Sequence, residues 1–181
     1  MKIFMLCNSD SLVLPSVYQL LHSNQLVGVG IPQKQAKRLS ISLQKTGLNS
    51  ANIHVLQKEN LSVQLNHLIT STAADCLIAL TFPWRIPTDI LTKPILGCAN
   101  FHFGLLPKYK GADPIFWQLN NREVLGGITI HKMTEQIDQG NILHVAEVPI
   151  IPGETYGIHC SRLAILAAEL VNQLQEIFQK E

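Results

Sequence analysis

Two stretches of this chain, KIFMLC at residues 2–7 and DCLIAL at 75–80, are apolar almost without interruption. They are far too short to cross a bilayer, which takes about 20 residues of helix. As strands they would carry apolar side chains on both faces, and such strands belong inside a sheet that is covered on both sides. QLVGVGI (25–31), NIHVLQ (52–57) and ILGCANFHF (95–103) add three more strand-like runs. Helical spacing fills the gaps between them. Leu14, Val17, Tyr18 and Leu21 fall on one side of a first helix, residues 33–46 read as a second that stops near Gly47, and Leu61, Leu65, Leu68 and Ile69 mark a third. Strands alternating with helices predict an α/β fold with a mainly parallel sheet and right-handed crossovers.

The second part of the chain changes style. Asp113 is placed as the N-cap, and Pro114 as the first residue, of a helix over DPIFWQLN. GGITIHKM (126–133) and ILHVAEVPI (142–150) alternate in character and flank the polar loop TEQIDQGN. They predict an antiparallel pair at the sheet edge. Ile158, Leu163, Leu166, Ala167, Leu170, Leu174 and Ile177 then predict one long closing helix over 155–181. A chain of 181 residues is expected to form one domain, spanning 1–181.

Charge and cysteine usage narrow the function classes. The formal net charge is +1, with 15% charged residues, which gives no electrostatic footprint for nucleic acid or an anionic membrane surface. The local cluster Lys34, Lys37 and Arg38 reads as a solvated helix face. Cys7, Cys76, Cys98 and Cys160 are widely spaced, with no C-x-x-C, and the first three lie in apolar runs. A reduced, cytoplasmic protein is expected. His102, His131, His144 and His159 match no zinc spacing, so no metal is expected.

Ligands of open α/β sheets bind at the carboxyl ends of the strands. There the fifth strand carries Asn100 and His102 on one face, with Phe101 and Phe103 on the other. TFPWRIP leaves the fourth strand, and its two prolines stop it from continuing as sheet interior. The first strand leads into CNSDSL, which has no glycine and so cannot form a dinucleotide fingerprint or a phosphate loop. A Cys98–His102 nucleophile pair is disfavoured. Successive same-face positions on a strand are about 6–7 Å apart, so these two, two positions removed, cannot hydrogen bond.

The stretch CANFHFGLLPKYKGADPIFWQLNNREVLGGITIHKMTEQIDQGNIL resembles the signature region of the folate-dependent formyltransferases. Those enzymes act on methionyl-tRNA, glycinamide ribonucleotide or amino sugar nucleotides. Asn-x-His, Leu-Leu-Pro, Lys-Gly-x-x-Pro, Gly-Ile-Thr and Asp-x-Gly occur in the family's order and with familiar spacing. The resemblance implies a Rossmann-like formyltransferase fold of seven strands, with antiparallel C-terminal strands and a long C-terminal helix. It implies Asn100, His102 and Asp138 as the catalytic three. It implies 10-formyltetrahydrofolate as formyl donor, held by Trp84, Arg85, Ile86, Leu91, Cys98, Thr134, Glu135 and Ile137. Lys110, Gly111 and Pro114 would form the acceptor side, with Gly111 allowing close backbone approach.

Transfer of a formyl group to an amine develops an oxyanion, which Asn100 and His102 would stabilise, while His102 and Asp138 would handle protons. The family usually has Ser where this chain has Gly104. The tRNA enzymes carry a further C-terminal β-barrel, for which these 181 residues leave no room. A small amine acceptor, for example an amino sugar nucleotide, is therefore expected rather than tRNA. A 10-formyltetrahydrofolate hydrolase and a non-catalytic folate-binding or partner-binding relic are the alternatives.

Overall fold

The computed structural model describes residues 1–180. Seven strands form one sheet: β1 (Ile3–Cys7), β2 (Leu26–Pro32), β3 (Ile53–Leu56), β4 (Cys76–Leu80), β5 (Cys98–His102), β6 (Leu125–Lys132) and β7 (Ile142–Pro149). Their spatial order is β3-β2-β1-β4-β5-β6-β7. The first five run parallel, and β6 pairs antiparallel with both β5 and β7. The helices are α1 (Leu14–His22), α2 (Ala36–Gln44), α3 (Leu61–Thr72), α4 (Thr88–Leu91), α5 (Pro114–Asn120), α6 (Tyr156–Asn172) and α7 (Leu174–Gln179). This is the mixed α/β architecture that the alternating pattern predicts. Among the described residues no helix is long and apolar enough to cross a membrane.

Strand periodicity divides the interior in two. Every residue of β1 and β4 is buried. Ile3, Met5, Cys7, Cys76, Ile78, Leu80, Ala99 and Phe101 pack on one face, under α1, α2 and α6. Phe4, Leu6, Leu77, Ala79 and Cys98 pack on the other, under Leu61, Leu65 and Ile69 of α3 and Ile90 of α4. Asn100 and His102 are in phase with Cys98 and share the α3 face. Loop residues 111–113 and 136–138 border that region, and this opening is where the site forms.

Several expectations are adjusted by packing. The buried residues of the first helix are Ser16, Val17 and Leu20, while Tyr18 is half exposed with its ring tilted against that of His22. Residues 33–46 split into a single 3-10 turn (Gln33–Gln35) followed by α2. The expected closing helix divides at Gln173, with ψ near 0°, into α6 and α7, and its last expected residue, Glu181, lies outside the described residues. Ile158 is exposed on α6 rather than part of its buried stripe. The cap residues Asp113 and Pro114 stand where the sequence places them, and the Asp113 carboxylate accepts the Phe116 N–H. Lys34, Lys37 and Arg38 are solvent-exposed, and all four cysteines are free and buried.

Candidate active site

The chain leaves β1 for β2 on one side and returns to β4 on the other, so the carboxyl ends of β1 and β4 flank the crevice where doubly wound sheets bind ligands. A cavity of about 510 Å³ opens there, within the usual range for small-molecule sites. Leu12 follows β1, the Thr81–Ile86 segment follows β4, and Gly111–Ile115 follow β5; all line it. Asn100, His102 and His131 line the sheet side of the cavity, and Gln136, Ile137 and Asp138 line the loop between β6 and β7.

Strand register assembles the polar cluster. Antiparallel pairing sets Asn100 opposite His131, and His102 opposite Thr129. The His131 Nδ1–H donates to the Lys132 carbonyl at 2.9 Å. In that tautomer Nε2 is an acceptor, and the Asn100 amide donates to it at 3.2 Å. The second Asn100 amide hydrogen has no protein acceptor among the described residues.

His102 is fixed in the same way from the other side. Its Nε2–H donates to the main-chain carbonyl of Tyr109. A carbonyl can only accept, so the neutral ring carries its proton on Nε2 and its lone pair on Nδ1. That Nδ1 lies 3.6 Å from Asp138 Oδ2, while Asp138 Oδ1 lies 3.4 Å from His131 Nε2. Both histidines therefore turn the nitrogen that carries no proton toward one carboxylate.

Asp138 is held by the backbone. Its Oδ2 accepts the Gly111 N–H at 2.7 Å. It adopts a left-handed φ of +53°, which Asp tolerates better than most residues. Two residues on, a Cβ at Gly140 would lie 1.8 Å from the Lys132 carbonyl oxygen, so only glycine lets this loop close against the end of β6. The Asp-x-Gly spacing is thus a steric requirement for bringing the carboxylate under the histidines.

Burial and charge compete at both titrating groups. Burial pushes His102 below its ordinary pKa, although Asp138 and the Tyr109 carbonyl pull it back up. Burial pushes Asp138 up, but the neighbouring His131 imidazole, the hydrogen bond from the Gly111 N–H and the nearby His102 prevail, and it stays below the usual carboxylate value. At neutral pH the pair is a neutral imidazole beside a carboxylate. A proton arriving at Nδ1 turns the contact into a buried ion pair.

Trp84, Arg85, Ile86, Leu91, Thr134, Ile137, Gly111 and Pro114 also line the cavity. Cys98, Glu135 and Lys110 do not. The Cys98 thiol is buried behind the wall and donates to the Ile90 carbonyl, and burial raises its pKa to about 12. Glu135 and Lys110 point to solvent. Gly111 has open space beyond its Cα, and its φ of +88° is what requires glycine, not close approach. Sequence reasoning missed His131, whose signal is its same-face alternation with Thr129 in GITIH. It also missed Asp113 and Tyr156 as cavity residues; the Tyr156 hydroxyl donates to Asp113 Oδ1 at 3.1 Å.

Fold and site together define an α/β protein whose cavity gathers Asn100, His102, His131 and Asp138 at the carboxyl end of β5. The chain belongs to the formyl transferase family, which matches residues 1–173. It is 36% identical over 141 residues to a methionyl-tRNA formyltransferase from Syntrophus aciditrophicus (strain SB), covering 77% of this chain and 45% of that protein. The chain spans about half the length of the curated relatives it matches. Among solved structures it resembles phosphoribosylglycinamide formyltransferase from Anaplasma phagocytophilum, with a TM-score of 0.81 at 19% identity, covering 99% of this chain and 88% of that one. It also resembles a formyltetrahydrofolate deformylase from Pseudomonas syringae pv. tomato, with a TM-score of 0.78 at 16% identity, covering 99% and 61%. At these identities the structural likenesses establish the shared fold.

Proposed function

We propose that this chain transfers a formyl group from 10-formyltetrahydrofolate to a primary amine of a small acceptor, an amino sugar nucleotide being one example. The observation that carries the reading is the convergence of Asn100, His102 and Asp138 at one cavity. The donor supplies an activated formyl carbonyl. The cavity suits its flat, reduced ring. Trp84, Ile86 and Leu91 give apolar walls, and Phe82 meets Trp84 edge-to-face at 5.3 Å, which stiffens that wall. The segment 81–87 lies between β4 and α4, so its main-chain groups are outside the sheet ladder and can meet polar ring edges.

Each residue then has a physical task. Asn100 gives its second amide hydrogen to the formyl oxygen as negative charge develops there. His102 Nδ1, with its lone pair free, takes the proton released by the attacking amine. Asp138, 3.6 Å away, stabilises the imidazolium so formed. The same Nδ1–H then returns the proton to the leaving nitrogen. No covalent bond to the protein is needed, and the Trp84 and Ile137 walls limit water.

The net charge of +1 favours a small acceptor over the polyanionic backbone of tRNA. The test is tetrahydrofolate release from 10-formyltetrahydrofolate with a panel of small amines, with methionyl-tRNA, and with no amine. Release that depends on a small amine is expected. Release without amine would make the protein a hydrolase, and release only with methionyl-tRNA would overturn the acceptor class. Silence in every arm would leave a folate-binding relic.

A further inference from the structure

Tyr109 lies outside the cavity lining, yet its main chain touches the ring on which the proposed chemistry turns. Its carbonyl accepts the His102 Nε2–H. Its side chain is 8% exposed, and its hydroxyl is held at the opposite end of the residue. That hydroxyl donates to Glu123 Oε1 at 2.5 Å and accepts from Asn121 Nδ2 at 3.2 Å. Lys108 pairs with the same Glu123 oxygen. Glu123 and Asn121 follow α5, so the phenol ties the 105–111 segment to the end of that helix.

The rest of this segment is pinned as well. The buried Thr129 hydroxyl donates to the Gly104 carbonyl at 2.7 Å and accepts the Leu106 N–H at 3.1 Å. The Gly111 N–H reaches Asp138. Between these two anchors the Tyr109 N–H bonds the Leu105 carbonyl at 3.3 Å, and the Tyr109 phenol holds the other end of the residue whose carbonyl meets His102. Without that carbonyl either ring nitrogen of His102 could carry the proton. The Nδ1–H tautomer would point a donor at Asp138 and leave no base facing the cavity.

We infer that Tyr109 is a positioning residue: its phenol, anchored by Glu123 and Asn121, fixes the carbonyl that selects the Nε2–H tautomer of His102 and so keeps Nδ1 as the base. The inference rests on the formyl-transfer reading for its rate consequence, but the tautomer itself can be observed without any substrate. The groups facing His102 are Asp138, His131 and the Tyr109 carbonyl. Of these, Tyr109→Phe disturbs only the last.

Nitrogen-15 spectra of the imidazoles above pH 8 provide the test, paired with kcat, KM and melting temperature. Wild type should show His102 as a single Nε2–H tautomer. Tyr109→Phe and Glu123→Ala should each mix the two tautomers. They should lower kcat about tenfold, within the roughly hundredfold that small misplacements can cost. KM for the folate should not change. Glu123→Gln keeps an acceptor for the phenol and should restore both the spectrum and the rate. A Tyr109→Phe protein that keeps a pure Nε2–H tautomer overturns the inference, as does one that mixes tautomers at an unchanged kcat. If wild type shows no turnover, formyl transfer fails as a reading, and the tautomer spectrum alone decides the role of Tyr109.

Discussion

The carboxylate of Asp138 lies 3.6 Å from Nδ1 of His102, with both side chains almost wholly buried. That separation is too long for a hydrogen bond and short enough for strong electrostatic coupling. Two acceptors facing each other without a proton between them form a niche for a donor. An amine N–H is such a donor.

The buried imidazole sets a pH dependence. His102 binds its proton more weakly in the folded chain than in the unfolded one, because burial outweighs Asp138. The base form therefore persists below the ordinary histidine value of about 6.5. The acid limb of kcat/KM is expected below that pH, and a limb above it would contradict the assignment. Stability follows the same sign. His102 and the fully buried His159 are both depressed, so the unfolded state takes up more protons as pH falls past about 6.5. Asp138 and Glu154 are depressed as well, so their contribution is present above about pH 4 and is lost as acid protonates them in the folded state. Melting temperature should decline in two stages on acidification.

Gly104 stands where the family usually has Ser, and the surrounding space explains what that change requires. A Cβ there would lie 2.6 Å from the Pro114 Cβ and 3.2 Å from both His102 Nε2 and the Tyr109 Cβ. Pro114 is rigid and begins α5, so it cannot yield without moving the helix start. Gly104→Ser should cost about 1–3 kcal/mol by overpacking and should lower kcat by displacing His102. Thermal melts and turnover check this. A variant as stable and active as wild type would show that the 104–114 contact is not a constraint.

His131 holds the Asn100 amide from the neighbouring strand. His131→Ala should leave the sheet intact and free that amide. A loss in kcat on the order of tenfold is expected, with folate affinity retained. Unchanged kcat would mean that Asn100 needs no such support.

Folate binding is testable without turnover. A ligand at a hundred times its dissociation constant stabilises the fold by about 2.7 kcal/mol. Saturating 5-formyltetrahydrofolate should raise the melting temperature accordingly, and Trp84→Ala should remove most of the shift. No shift, together with no heat of binding, would count against the pocket.

The sheet was legible in sequence because strands buried on both faces leave short apolar runs that little else produces. KIFMLC and DCLIAL became β1 and β4, buried at every position. Helix faces were less legible: Tyr18 and Ile158 fit an apolar stripe by spacing, but the neighbouring elements cover the sides of α1 and α6 away from them. Asn100 and His102 could be paired from alternation alone. His131 could not, because its place beside Asn100 depends on the antiparallel register between β5 and β6. The His102 tautomer depends on the carbonyl of Tyr109, a backbone atom that carries no sequence signal. Cys98 is absent from the cavity wall for a related reason: it shares a face with Asn100 but lies one layer deeper, its thiol against the Ile90 carbonyl.

The most direct measurement is the single-turnover rate of formyl transfer in wild type, Asp138→Asn, His102→Ala and the double variant. Asp138→Asn keeps its size and an acceptor for the Gly111 N–H, so it should fold normally and lose at least about a hundredfold. His102→Ala should lose at least as much. The double variant should be no slower than His102→Ala, because the two side chains act as one unit. A near-wild-type rate in Asp138→Asn, or losses that simply multiply in the double variant, would contradict the role assigned to this pair.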